Sequence, residues 1–352
     1  MVEPPRIVVA VLNHNGSRWL HKCLSSAIAS DYPHLEICLV DNASTDGSLE
    51  YVQQHFPQVK VIRHSMNLGF AEGYNRALEK VEADYLVLLN NDTQVLNPSW
   101  IKYLLDTAKR DPRIAAVACK MVSMDDHSCL QSVGEMGIPF WRGFLDIGSG
   151  EHDRGQYDSQ LEPFGFCGGA ALIKRDAFAK IAGFDEEYFM YVEDVDLSWR
   201  LRLLGYRVGY AHEALVAHYA GGPSEHKIAS ARKLYYCQRN LLRAILKNCG
   251  SSIRWALRNY FLFSLIAAVG FSILEPRKAL AIARAILWNL LSFRNTYSQR
   301  LAIQSSRKSG ETEILASMYP RIERYQPSEH PALRRILNIL FEYNQSIPDQ
   351  LN

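Results

Sequence analysis

Four short apolar runs alternate with helix-patterned stretches at the start of this chain, and that alternation leaves few folds open to it. Residues 7–12 (IVVAVL) are continuously apolar, as a parallel strand buried on both faces requires. Residues 36–40, 59–63 and 85–90 read as three further strands, and 114–121 as another. Between them, Trp19, Leu20, Leu24 and Ile28 recur at helical spacing over 17–29. More helices are expected up to about His55, over 70–80, and from Pro98, a residue favoured in a first helical turn. Ser44-Thr45-Asp46 offers side-chain oxygens to cap the second helix. This order predicts an α/β fold, a mostly parallel sheet with helices on both faces. Residues 166–173 (FCGGAALI) read as a later strand whose Gly168-Gly169 lets another molecule approach the backbone. Residues 123–164 lack periodicity and fit either a loop over a site or an irregular connection.

The polar residues that close these runs point to chemistry. Asp41 ends the second run in LVDNASTDGS, and Asn90-Asn91-Asp92 ends the fourth. Open α/β sheets bind ligands in the crevice at the carboxyl ends of their strands. Downstream come Glu193-Asp194 in YVEDVDLSWR and His218 in VAHYAGG. Asp92 and His218 can ligate a divalent cation, Mg²⁺ or Mn²⁺, which in turn can hold a diphosphate. Asp194 is then left as a base. Each has a structural alternative: a turn for Asp41, a helix-dipole acid for Asp194, a strand-end residue for His218. Taken together they indicate group transfer from a nucleotide-activated donor.

The turn after the first run, Asn13-His14-Asn15-Gly16, separates this site from other nucleotide folds. A dehydrogenase needs G-x-G-x-x-G there, and neither that pattern nor a P-loop is present. Sugar nucleotidyltransferases carry a glycine-rich, Arg-containing loop at the same place, which is also missing.

Six segments then occur in one order: AVLNHNGSRWLHKCLSSA, LVDNASTDGS, NLGFAEGYNRAL, YLVLLNNDTQV, the long FCGGAALIKRDAFAKIAGFDEEYFMYVEDVDLSWRLRLLGY, and AHYAGG. In this the chain resembles the inverting glycosyltransferases of family 2, with the GT-A fold, over residues 6–222. NLGFAEGYN and the tail KLYYCQRNLLRAILKN resemble the rhamnosyltransferase-like bacterial branch. The resemblance implies a donor that is a nucleoside-diphosphate sugar (dTDP-rhamnose, a UDP- or a GDP-sugar) and a lipid-linked or glycan acceptor. It implies that Asn13 and Asp41 contact the base and ribose. Asn67, Gly69 and Phe70 would form a loop near the donor, backed by Gly73 and Asn75. Asn91 or Asn90 would contact the ribose, and Asp92 with His218 would hold the metal. Asp194 would be the base, with Glu193 orienting the acceptor or a neighbouring backbone. Cys167, Gly168, Gly169 and Trp199 are candidates to line the acceptor site, a core position being the alternative for Trp199. The triplet departs from the family at Asn90, where the pattern has Asp. Two other classes compete: a sugar nucleotidyltransferase, and a non-catalytic sugar-nucleotide-binding membrane scaffold.

The net charge of +2 conceals two unlike parts. Residues 227–308 hold fifteen Lys/Arg and one acid, a balance of +14 that leaves −12 for the rest. A boundary is expected near Gly221-Gly222-Pro223, dividing a catalytic part, 1–222, from a basic helical part, 223–352. Residues 259–274 are uncharged and apolar but shorter than the roughly 20 residues that span a bilayer. Basic amphipathic helices suit an anionic membrane surface, with Tyr260, Phe261, Phe263, Phe271 and Trp288 as anchors. Seven cysteines without a C-x-x-C pair, and an opening segment that runs straight into a strand without a signal peptide, fit the cytoplasm. The expected place is the inner face of a bacterial plasma membrane. No nucleic-acid module is recognisable.

Overall fold

Strand β1 (Ile7–Asn13) is apolar throughout because both of its faces are sealed. Ile7, Val9 and Val11 pack with Leu20 and Leu24 of α1 (Ser17–Ile28) and with Trp100 and Leu104 of α4 (Trp100–Lys109). Val8 and Ala10 face the opposite core with Tyr74 of α3 (Ala71–Leu78). The computed structural model describes residues 3–137, 143–159, 161–219 and 230–318.

The main sheet begins with β3 (Lys60–Arg63), β2 (Leu35–Asp41), β1 and β4 (Tyr85–Asn90), all parallel. Next to β4 lies β10 (Ala170–Lys174), antiparallel both to it and to β6 (Ile114–Ser123). β11 (Arg207–His218) runs parallel to β6, and β5 (Thr93–Val95) pairs antiparallel with β11. Order reverses between β1 and β4, which opens the ligand crevice above Asn13, Asp41 and Asn90.

Several expected boundaries shift for local reasons. The strand expected from residue 166 starts only at Ala170, because Gly168-Gly169 forms the turn before it. Pro98 stands in the turn two residues ahead of α4. Helix α2 (Ser48–His55) begins after Gly47, and Asp46 accepts from the Ser48 N–H at 3.1 Å and the Ser17 N–H at 2.8 Å, so it serves the first turns of two helices. The aperiodic stretch holds β7 (Leu130–Ser132), added to β6, and a small ribbon of β8 (Glu135–Gly137) and β9 (Phe144–Asp146).

After α5 (Arg175–Lys180) and α6 (Glu193–Leu203), the basic part folds as α7 (Ala231–Asn248), α8 (Ile253–Leu274), α9 (Pro276–Leu291), α10 (Phe293–Ser305) and α11 (Glu311–Met318). The boundary expected near Gly221-Gly222-Pro223 lies outside the described residues. Leu241, Leu242 and Ile245 of α7 join the core that contains α6. Several of the expected free cations are consumed there. Lys247 is fully buried between Asp185 and Asp196, and Arg243 pairs with Asp185 at 2.8 Å. Arg200 holds the other Asp196 oxygen at 2.7 Å. Burial alone would raise the Asp185 carboxyl, but Lys247 and Arg243 beside it outweigh that and hold it well below the usual range.

Two expected membrane anchors are also turned inward. Tyr260 is buried and donates to the Gln238 carbonyl, and Trp288 lies 4.5 Å beneath the Arg239 guanidinium. The exposed apolar residues are instead Phe261, Leu262, Leu265, Ile266, Val269 and Ile273 on α8, and Leu280, Leu287, Leu290 and Leu291 on α9.

Candidate active site

The floor of the crevice is a ladder of amides and one acid. Asn13 Nδ2 donates to Ser44 Oγ at 3.0 Å and to Asp41 Oδ1 at 3.4 Å, and its Oδ1 accepts from Asn91 Nδ2 at 2.6 Å. Asp41 Oδ2 also accepts the Ser44 N–H at 3.2 Å. Asn13 and Asp41 are both 0% exposed. In this conformation both side chains lie buried within the crevice floor. Ala43, Ser44, Thr45, Arg63, His64 and Ser65 line the cleft of about 500 Å³ in front of them. A larger open cleft of about 1260 Å³ lies at the opposite strand ends, around Pro4, Tyr32, Asp84 and Lys174, and contains none of the residues considered above.

The donor-side loop is built from a turn. Asn67 Oδ1 accepts the Gly69 N–H at 2.9 Å, and the Phe70 N–H donates to the Phe189 carbonyl at 2.5 Å. Asn75 was expected behind a donor site, and its amide is fully used elsewhere. It donates to the Phe184 carbonyl at 2.8 Å and accepts the Phe184 N–H at 2.9 Å, tying α3 to the segment before α6.

His218 and Asp92 meet at the end of β11, with Nε2 3.3 Å from Asp92 Oδ1 and 3.5 Å from Asn90 Nδ2. Gln131 sets the ring. Its Nε2 donates to the His218 carbonyl at 2.9 Å, so its Oε1 accepts from His218 Nδ1–H at 3.0 Å. That tautomer leaves the Nε2 lone pair toward Asp92, as a metal-ligating imidazole needs. No group of three or more His, Cys, Asp or Glu able to hold a metal occurs among the described residues. One carboxylate and one imidazole nevertheless fit Mg²⁺ or Mn²⁺, which keep positions for substrate phosphates and water.

The opposite wall carries the expected base. Asp194 accepts the Gly168 N–H on Oδ2 and the Val195 N–H on Oδ1, both at 2.9 Å. Desolvation raises its carboxyl above the ordinary value despite those donors. Desolvation, and then the neighbouring Asp194 charge, raises Glu193 well above its ordinary value, and Glu193 Oε2 is buried without a partner. The two N–H bonds favour ionised Asp194, while burial without a donor on Oε2 pushes Glu193 toward its neutral form. Gly168-Gly169 separates the two halves. A Cβ on Gly168 would lie 2.8 Å from Phe70 and 3.3 Å from Asp194 Oδ2, and one on Gly169 would lie 2.7 Å from Met121, 3.5 Å from Asn90 and 3.6 Å from His218. Cys167 is half-buried beside them. Trp199 is core: it is 1% exposed and packs against Phe144 and Phe164, one layer behind the position expected for it.

Three further groups had no sequence signal. Gln131 is one. Glu135 and Asp146 are the others, opposite each other on the β8–β9 ribbon. Glu135 is buried, and desolvation followed by the Asp194 charge raises it well above its ordinary value. Asp146 is exposed as a residue, yet desolvation of its carboxyl and then the Asp194 charge push it up to about 6.

Residues 7–182 match the family described as Glycosyl transferase family 2. The N-acetylglucosaminyl-diphospho-decaprenol L-rhamnosyltransferase of Mycobacterium tuberculosis is 30% identical over 256 residues, covering 65% of this chain and 82% of that protein. Rhamnosyltransferase WbbL of Escherichia coli K12 is 25% identical over 226 residues, covering 61% and 83%. Among solved structures, the mannosyltransferase PcManGT of Pyrobaculum calidifontis, in complex with GDP-Man and Mn²⁺, superposes with a TM-score of 0.52 at 19% identity over 87% of this chain and 86% of that one.

Proposed function

The chain belongs to glycosyl transferase family 2 and is a glycosyltransferase of GT-A fold, rhamnosyltransferase-like in sequence, and we propose that it inverts a sugar from a nucleoside-diphosphate donor onto a hydroxyl of a lipid-linked or glycan acceptor. The observation that carries this reading is the Gly168-Gly169 turn, with Asp194 against one glycine and His218 and Asn90 against the other. A base and a diphosphate site across a side-chain-free gap leave room for an anomeric carbon between them. Asp194 takes the proton of the attacking hydroxyl, for which it must be ionised. Glu193, pushed toward its neutral form, holds no base role and supports the acceptor side. Asp92 and His218 would hold a divalent cation, which when bound offsets the charge developing on the leaving diphosphate. Asn13, Asp41 and Asn91 brace the wall against which the nucleotide rests. A rhamnose donor is favoured by the named activities of the two relatives. A thermal-shift panel of dTDP-rhamnose, UDP-N-acetylglucosamine and GDP-mannose, with and without Mn²⁺, tests the donor.

The metal reading has its own test. Asp92→Ala is expected to weaken Mn²⁺-dependent binding of the nucleoside diphosphate more than His218→Ala does, because only the carboxylate brings charge. Calorimetric titration decides it, and equal diphosphate affinity with and without Mn²⁺ would contradict the metal site.

Residues 1–222 form the catalytic part in this proposal, and the basic helical part, 223–352, meets an anionic membrane on its cytoplasmic side. Residues 253–273 are long and apolar enough to cross a bilayer by length and composition. One side of that helix is nonetheless committed to α7, since Tyr260 and Ser264 both bond Gln238. A helix with one packed and one apolar exposed face suits the interface. Leu265, Ile266 and Val269 are about 60% exposed and Ile273 is 83% exposed, a continuous stripe that solvent-facing surfaces rarely carry. Arg254, Arg258, Arg277, Arg284 and Arg294 stay exposed around it, and each cation near an anionic surface contributes about 1 kcal/mol. The full chain is expected to co-sediment with phosphatidylglycerol vesicles at low salt and to release as salt rises. Ile266→Glu with Leu290→Glu should cut that binding about tenfold or more, given about 1.5–3 kcal/mol for each apolar side chain buried. Full-length protein that ignores such vesicles at low salt would place the acceptor in solution.

A further inference from the structure

The turn that delivers Asp194 is strained. Phe189, Tyr191 and Val192 all have positive φ, at 61°, 67° and 69°, and none is glycine. Each such residue is strained and persists only where its surroundings over-determine it. Val192 is β-branched and directly precedes Glu193 and Asp194 at the start of α6.

The surroundings that hold this turn come from α7. The Nδ2 of Asn240, a fully buried residue, shares its two N–H groups among three carbonyls, those of Tyr188 at 3.0 Å, Met190 at 2.9 Å and Tyr191 at 2.7 Å. Arg239 takes the preceding carbonyls, Glu187 at 2.6 Å and Tyr188 at 2.7 Å. Its Nε–H donates to Asn240 Oδ1 at 2.8 Å, which fixes which way the Asn240 amide faces. The remaining carbonyl, of Phe189, is taken by the Phe70 N–H on the donor-side loop. A Cβ at Gly69, where φ is +77°, would stand 2.4 Å from that same oxygen. Every carbonyl from residue 187 to 191 is thus held, four by the adjacent Arg-Asn pair and one by the donor-side loop.

We propose that Asn240, oriented by Arg239, is a positioning residue for the transfer reaction: it clamps the strained turn 188–192 and thereby sets the place of Asp194 opposite the diphosphate site. This rests on the reading of Asp194 as the base. It also gives a role to the QRN of KLYYCQRNLLRAILKN, which lies outside the matched family region.

The test uses the full chain and the nucleotide sugar that gives the largest shift in the thermal panel. Asn240→Ala is expected to lower kcat about 100-fold, the scale of an ångström's misplacement of a reacting group. Affinity for that nucleotide sugar should stay within about threefold, because the nucleotide wall is not touched. Val192→Gly relaxes the turn, since glycine adopts positive φ freely. In the Asn240→Ala background it should recover part of the lost kcat, a rescue that a purely structural role for Asn240 would not produce. If Asn240→Ala does not fold, Arg239→Lys reads the same contact: it keeps the charge over Trp288 but removes the Nε–H that orients the amide. Asn240→Ala or Arg239→Lys within threefold of wild-type kcat overturns the proposal. So does a loss that appears only as lower thermal stability, with kcat per folded molecule unchanged. An inactive Asp194→Asn beside a fully active Asn240→Ala would sink the clamp alone, whereas an active Asp194→Asn would sink the base reading beneath it.

Discussion

Asp194→Asn is expected to lower kcat about 10²–10⁴-fold, the range typical of a lost general base, while nucleotide-sugar affinity changes by no more than about threefold. The carboxylate touches neither the cleft wall at Ala43-Ser44-Thr45 nor the Asp92–His218 pair, so donor binding has no reason to suffer. Both Asp194 oxygens already accept a backbone N–H, from Gly168 and from Val195. An Asn amide would set its own NH₂ against one of those donors. Asp194→Ala removes the base without that clash and serves as the companion variant; the two should be equally inactive. The raised carboxyl has a pH consequence. Activity requires the ionised form, so it falls as pH drops through the raised value, and the acid limb should lie above the ordinary Asp value of about 3.9. Steady-state rates across pH together with donor titrations measure both. Transfer within tenfold of wild type in either variant would remove Asp194 from the base role.

Lys247→Met is expected to be the most destabilising of the charge removals. The ammonium sits fully buried between Asp185 and Asp196, and methionine is close to it in volume. Removing one member of a buried ionic cluster costs about 3–5 kcal/mol, since the partners stay buried with less compensation. For a chain of this size that is about 4–7 °C in denaturation midpoint. The exposed pair Lys180–Asp176 is the control: its side chains are 57% and 67% exposed, and Lys180→Met should leave the denaturation midpoint nearly unchanged. The folded Asp185 carboxyl is depressed, so its contribution is complete above the unfolded value of about 3.9 and is lost as pH falls toward the lower folded value. The gap between wild type and Lys247→Met should narrow over that acid range. Calorimetry of both variants at several pH values is the measurement, and equal small shifts at Lys247 and Lys180 would refute the buried cluster.

What the sequence disclosed followed from periodicity and strand ends. An apolar run such as IVVAVL reports burial on both faces, and a polar residue closing it marks the crevice, so β1, β2 and β4 with Asn13, Asp41 and Asn90 were legible. The pairing of Asp92 with His218 was legible as chemistry, and the structure brings the two within 3.3 Å. Gln131, Glu135 and Asp146 were not. They lie on three-residue strands, too short for alternation to register, and their importance comes from neighbours far along the chain. Trp199 shows the converse limit. A tryptophan on the helix that bears the base can turn to the cleft or to the core, and only the positions of Phe144 and Phe164 decide. The basic segment misled in degree, because a count of cations does not distinguish Arg254 at the surface from Arg243 and Lys247 in the interior.

That interior placement bears on how such enzymes can be taken apart. Asp185 and Asp196 flank Asp194 in the chain, and although Arg200 of α6 holds one Asp196 oxygen, the other cations against them, Arg243 and Lys247, and the amide that grips the turn between them are contributed by α7. A chimera joined between β11 and α7 would ask a foreign C-terminal part to supply Arg243, Lys247 and Asn240 in register. A transplant that carries α7 along with the catalytic sheet keeps this unit whole; one that treats the helices as an interchangeable membrane module leaves Asp185 without Arg243 and Lys247 and releases the turn that Asn240 holds.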